Sequence, residues 1–175
     1  MRGRSPPRTA WPFGQGQGRW GWRPDGARSL DMTLFEEPDG SAAYLARSVN
    51  NEYAGFSRLT EDYLNTTDDG IISRTPCKAE GLALWRERPD RLYLLASHLT
   101  GWHANPSMLF RSSTGRIAGA RWQDLGNPTG KGYSYDSQPT FVAPISMGGT
   151  KIRLLLYMGD RWHEGWQSGA GSVGG

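Results

Sequence analysis

The feature that most constrains this chain is a repeat. Four short strand-like runs joined by sharp turns occur once, begin again about fifty residues later, and begin a third time. The first unit holds Met32–Glu36, the turn Glu37-Pro38-Asp39-Gly40, Ser41–Arg47, Glu52–Leu59 and Ile71–Ser73. The second holds Gly81–Arg86, a turn at Pro89-Asp90, Arg91–Ser97, Ser107–Ser112 and Ala120–Leu125, closed by Gly126-Asn127-Pro128. The third opens on Thr140–Ile145, turns at Met147-Gly148-Gly149 and continues through Ile152–Met158. Proline presets the backbone angle of a turn and glycine supplies the left-handed one, so these clusters punctuate the strands. No amphipathic helix of ten or more residues is present; Thr60–Leu64 offers at most one helical turn. The fold class is all-β.

Four-stranded antiparallel units at this period are the signature of a β-propeller. An immunoglobulin-like sandwich shares the short strands and turn signals. The long loops at 98–106 and 126–137 suit the loop-bearing face of a propeller better. The stretch from Pro24 onward is roughly three blades long, fewer than the 4–8 that close a ring. The expectation is therefore a partial propeller with open sheet edges that something else must cover.

Composition narrows the function. The 24 glycines and 11 prolines would hint at disorder alone, but 8 tryptophans and 7 tyrosines argue for a packed, turn-rich protein with aromatic-lined surfaces. One cysteine, Cys77, excludes an internal disulfide framework and a cysteine-rich zinc site, and three scattered histidines have no metal-ligand spacing. No metal and no cofactor is expected. No apolar run approaches the ~18 residues of a membrane span, and the first twenty residues have no apolar core of a signal peptide.

Charge is uneven. Arg2, Arg4, Arg8, Arg19 and Arg23 all precede the first acid, Asp25, so residues 1–24 carry +5 and the remainder of this +3 chain carries −2. Residues 1–22 read as a flexible Gly/Pro/Arg-rich tail, 23–166 as the partial propeller, and 167–175 as a Gly/Ser-rich tail. An Arg-Gly tail can bind nucleic acid by charge and stacking, but the acidic balance of the body argues against a nucleic-acid partner.

Three polar residues occupy equivalent places in the repeat. Asp31 precedes the first strand of the first unit, Glu80 that of the second and Gln138 that of the third, at gaps of 49 and 58 residues. First strands of propeller blades line the central axis, so the three side chains should converge on one funnel. A carboxyl beside apolar neighbours and a second carboxylate is raised in pKa, as a general acid for glycoside cleavage must be. The competing reading is that each is a solvated strand-end polar group. Trp102, in the loop Thr100-Gly101-Trp102, is a candidate platform for a sugar face, or else a plug between blades. Tyr133 and Tyr135 could flank the same funnel. Arg161 could hold a carboxylate or a sugar hydroxyl, or form an ordinary surface ion pair. His98, His103 and His163 read as loop hydrogen-bonders, and Cys77 as a small inert residue.

Several motifs in this order resemble glycoside hydrolase family 43, most closely its exo-1,3-galactanase (galactan 1,3-β-galactosidase) branch. They are Trp22-Arg23-Pro24-Asp25-Gly26, Arg28 through Phe35, Asp39-Gly40, Thr100-Gly101-Trp102 with Asn105-Pro106, Asp136-Ser137-Gln138, and Tyr157 through Trp162. The resemblance spans roughly residues 20–166. It implies a partial five-bladed β-propeller with about three blades present, and hydrolysis of galactan-like or other cell-wall polysaccharides with inversion. It also implies Glu80 as general acid, Asp31 as the carboxylate that tunes and orients it, and Gln138 on the base side. Thr100, Trp102, Tyr135 and Arg161 are the candidate substrate contacts. The implied partner is a polysaccharide or oligosaccharide, and the implied location of the full-length form is extracellular. Two departures stand out: Glu80 is followed by Gly81-Leu82 where the family has Ala-Pro, and the family's first blades have no counterpart. A carbohydrate-binding remnant without turnover is the alternative.

Overall fold

The computed structural model describes residues 26–146 and 153–161. The tails at 1–22 and 167–175, the turn Met147-Gly148-Gly149, the residues Trp22–Asp25, Ile152 and Trp162 of the motifs above, and His163 lie outside the described residues. Among those described there is no α-helix. The strands are β1 (Ser29–Glu36), β2 (Ala43–Val49), β3 (Tyr53–Arg58), β4 (Ser73–Arg74), β5 (Glu80–Arg88), β6 (Arg91–Ser97), β7 (Ser107–Ser112), β8 (Trp122–Asp124), β9 (Gln138–Ser146) and β10 (Arg153–Asp160). They form two four-stranded antiparallel meanders, β1-β2-β3-β4 and β5-β6-β7-β8, and a two-stranded sheet of β9 and β10.

The turn after β1 forms as its residues dictate. Gly40 N–H donates to Glu37 O at 2.8 Å, and Ser41 N–H donates to the Asp39 carboxylate at 3.0 Å. That second bond keeps Ser41 in the turn, so β2 starts at Ala43. Thr60–Leu64 makes no helical turn. Asp62 takes the Thr60 hydroxyl at 2.6 Å and the Leu64 N–H at 3.1 Å, and Tyr63 adopts φ 60°. A short acidic side chain here competes with the helical hydrogen bonds and wins.

β5 is the middle strand of the assembly, packed against β1 on one side and β9 on the other. Its side chains alternate between two cores, as the period of two requires. Leu82 and Leu84 join Phe35, Phe56, Leu94 and Phe110 in the core shared by the two meanders, where Phe56 and Trp122 stack at 4.8 Å. Ala83 and Trp85 face the other way, with Leu95 and Val142, toward the third sheet; Trp85 stacks on Tyr93 at 5.3 Å. At the far end of β5, Arg86 pairs with Glu37, binds the carbonyls of Pro89 and Gly115, and lies over the Phe35 ring. This strap ties the two meanders together and leaves the Glu80 end for other chemistry.

Candidate active site

Glu80 and Gln138 are the first residues of β5 and β9. Asp31 lies inside β1 rather than before it, where the β1–β2 register breaks between Ser29 and Met32. Adjacent first strands bring the three together. Asp31 Oδ2 accepts the Gly81 N–H at 3.0 Å, and Gln138 Nε2 donates to Glu80 Oε1 at 3.2 Å. Gly81 makes this approach possible. Its φ is +57°, and a Cβ there would stand 2.6 Å from Gln138 Cγ and 3.0 Å from the Pro139 carbonyl. Only glycine takes both that angle and that space at little cost.

The electrostatics set Glu80 apart. Burial, and then the negative charge of Asp31, push its carboxyl above the ordinary 4.5, while the Gln138 amide pulls part of the shift back by favouring the ionised form. A carboxyl so placed holds its proton to higher pH than a solvated one.

Beside this group Ser97, Trp102, Asn105, Asp136 and Gln138 line a small open cleft. Trp102 is 58% exposed. Its loop is rigidified from below: Asn105, buried, accepts from His98 N–H and donates to His98 O and to Thr100 Oγ1, the last at 2.7 Å. The Thr100 hydroxyl in turn donates to His103 O. Thr100, Tyr135 and Arg161 stand outside the cleft wall. Thr100 ties the loop, Tyr135 is exposed with its ring 6.4 Å from that of Tyr157, and Arg161 pairs with Asp136 at 2.7 Å.

The far wall is built on an unusual backbone. Ser134, Tyr135 and Asp136 all adopt left-handed φ values of 47–59°, costing on the order of 1–3 kcal/mol each for residues with a side chain. Buried Ser134 holds this turn by accepting the Ser107 N–H at 2.7 Å, and Ser137 holds it by donating to Ser134 O while meeting the Tyr157 hydroxyl at 2.8 Å. Sequence reasoning missed Ser97, Asn105, Ser134 and Ser137. Only the Asn105-Pro106 and Asp136-Ser137-Gln138 motifs, which contain two of them without assigning them a role, pointed to their neighbourhood. Among the described residues no three His, Cys, Asp or Glu side chains gather as metal ligands.

No family model and no protein of curated function matches the sequence. Solved structures do. The chain is similar to a family 43 β-1,3-galactosidase at 30% identity and TM-score 0.69, over 82% of this chain and 29% of that one. It is similar to the exo-β-1,3-galactanase of Clostridium thermocellum at 31% identity and TM-score 0.65, over 81% and 29%. The exo-β-1,3-galactanase of Phanerochaete chrysosporium with galactose matches at 30% identity and TM-score 0.63, over 81% and 31%. The chain thus spans about three tenths of the length of these proteins.

Proposed function

We propose that this chain, which belongs by structure to glycoside hydrolase family 43, carries the acid side of an inverting glycosidase site for β-1,3-linked galactan, on about three blades of a five-bladed propeller. Glu80 protonates the leaving glycosidic oxygen. Asp31 raises and orients the acid, and Gln138 faces the water that attacks the anomeric carbon from the opposite side. In an inverting site the groups on the two sides stand ~6.5–9.5 Å apart, leaving room for that water. Trp102 offers a flat face to the C–H side of a sugar ring, with Thr100, Tyr135 and Arg161 on the surrounding surface.

The observation that carries this reading is the Asp31–Gly81–Glu80–Gln138 connection, with Glu80 raised in pKa by burial and by Asp31. The sugar class is supported by the neighbours, one with galactose and a variant with β-1,3-galactotriose. A second reading, galactan binding without turnover, needs only the exposed Trp102 beside the cleft. Beyond this, an extracellular location of the full-length form is proposed from the substrate class alone.

The test is incubation of the 175-residue chain with β-1,3-galactotriose, followed by NMR of the newly formed anomeric centre. Release of the α-anomer, lost in Glu80→Gln while oligosaccharide binding persists, is the expected result. Full turnover by Glu80→Gln removes Glu80 from the acid role, and binding without turnover in the unmodified chain selects the second reading.

A further inference from the structure

Ser97 belongs to β6, directly opposite Glu80 in the β5–β6 register, and is 2% exposed. Its hydroxyl donates to the Glu80 carbonyl oxygen at 3.2 Å, and its oxygen accepts from Gln138 Nε2 at 3.0 Å. A serine hydroxyl has a single proton. With that proton turned to the Glu80 carbonyl, the oxygen can only accept from its other neighbour. From this proton count we infer that Ser97 is a positioning residue that locks the Gln138 side-chain amide with its nitrogen inward and its carbonyl oxygen toward the cleft.

The consequence concerns both states of Glu80. Nε2 has two protons, one for Ser97 Oγ and one for Glu80 Oε1. While Glu80 is ionised, the carboxylate alone would hold the amide in this orientation. Once Glu80 is protonated, a free amide would turn over and accept the carboxyl proton instead, since a neutral carboxyl is a donor. Ser97 opposes that turn, because it could meet a reversed amide only by swinging its single proton away from the Glu80 carbonyl and giving up that bond. The Gln138 oxygen is thus kept as an outward acceptor through a cycle in which Glu80 gives up and regains its proton. Asp31, from β1, is the charged group bearing on Glu80, and nothing in the Ser97 contact alters it.

The role of that oxygen toward water rests on the proposed glycosidase reading, but the lock itself does not require turnover. Its test is the carboxyl carbon NMR titration of Glu80 in the full chain, the signal identified by its loss in Glu80→Gln. In Ser97→Ala the released amide accepts from the neutral carboxyl, so the Glu80 midpoint rises by about half a pH unit or more. Ser97→Cys, close in size and a poor acceptor, gives the same direction if the alanine variant does not fold. A serine that merely packs would change the unfolding midpoint and leave the titration in place. A Glu80 curve unchanged in either folded variant overturns the lock. Failure of the chain to hydrolyse galactotriose would overturn the glycosidase reading and leave this result standing.

Discussion

Two strands of this molecule carry nearly the same apolar run and meet opposite surroundings. In β5, Leu82-Ala83-Leu84-Trp85 is buried on both faces, because a meander lies on one side and the β9–β10 pair on the other. In β10, Leu154, Leu155 and Leu156 are all close to half exposed, as are Phe141 and Ile145 on β9. A continuous apolar run is the pattern of a strand covered on both faces, while alternation is the pattern of a strand covered on one. β5 has both its covers; β10 has the sequence of such a strand without them. Gln138 begins β9, so one wall of the candidate site belongs to the less covered sheet while Glu80 belongs to the sealed one.

The largest expected effect tests that contrast directly. Phe110, fully buried between the meanders, costs about 3–5 kcal/mol when cut to alanine, from lost transfer free energy plus the cavity left behind. Leu155→Ala, at 49% exposure, stays within about 0.5 kcal/mol. Paired denaturant titrations of the two variants decide the matter. Equal losses would mean that the exposed face of β10 is covered in solution, and the contrast would fail.

How far these differences are legible in the sequence depends on what encodes them. β6 and β7 have the same bounds in the structure as in the sequence reading, because Pro89-Asp90 and the Asn105-Pro106 pair mark where strands begin. The recurrence of strand starts likewise brings Glu80 and Gln138 to hydrogen-bonding distance. Other features have no local signal. Ser97 is a small polar residue ending a strand, and its importance comes from what lies across two sheets. The left-handed turn at Ser134–Asp136 uses no glycine; tertiary bonds from Ser107 and Tyr157 hold it there. The Thr60–Leu64 turn shows the reverse case, where the local side-chain chemistry of Asp62 overrides a weak helical preference.

A middle-sized effect sharpens the boundary between the sealed and less covered sheets. Gly81→Ala forces a side chain onto a +57° backbone and against Gln138 Cγ and the Pro139 carbonyl. The expected destabilisation is about 1–3 kcal/mol, accompanied by displacement of the start of β9, visible as chemical-shift changes concentrated at Ser137–Thr140. Losses without those shifts would mean that strain stays within β5 and that the two sheets meet less tightly at this end.

The smallest effect is a difference in pH dependence. Glu80 titrates above 4.5 in the folded chain because burial and Asp31 disfavour its charge. Its folded pKa is thus raised over the unfolded one, and the native state holds more protons in the interval between them. Stability from this group is fully present below about pH 4.5 and is lost as pH rises through the folded value. Glu80→Gln lacks the group, so its unfolding midpoint relative to the unmodified chain should improve steadily on going from pH 4 to neutrality. The gain is small because the side chain is only partly buried and Gln138 stabilises the ionised form. A midpoint difference that does not change with pH would mean that Glu80 is solvated like the exposed residues of β10. The acid end of β5 would then belong with the less covered part of the molecule rather than with the sealed one.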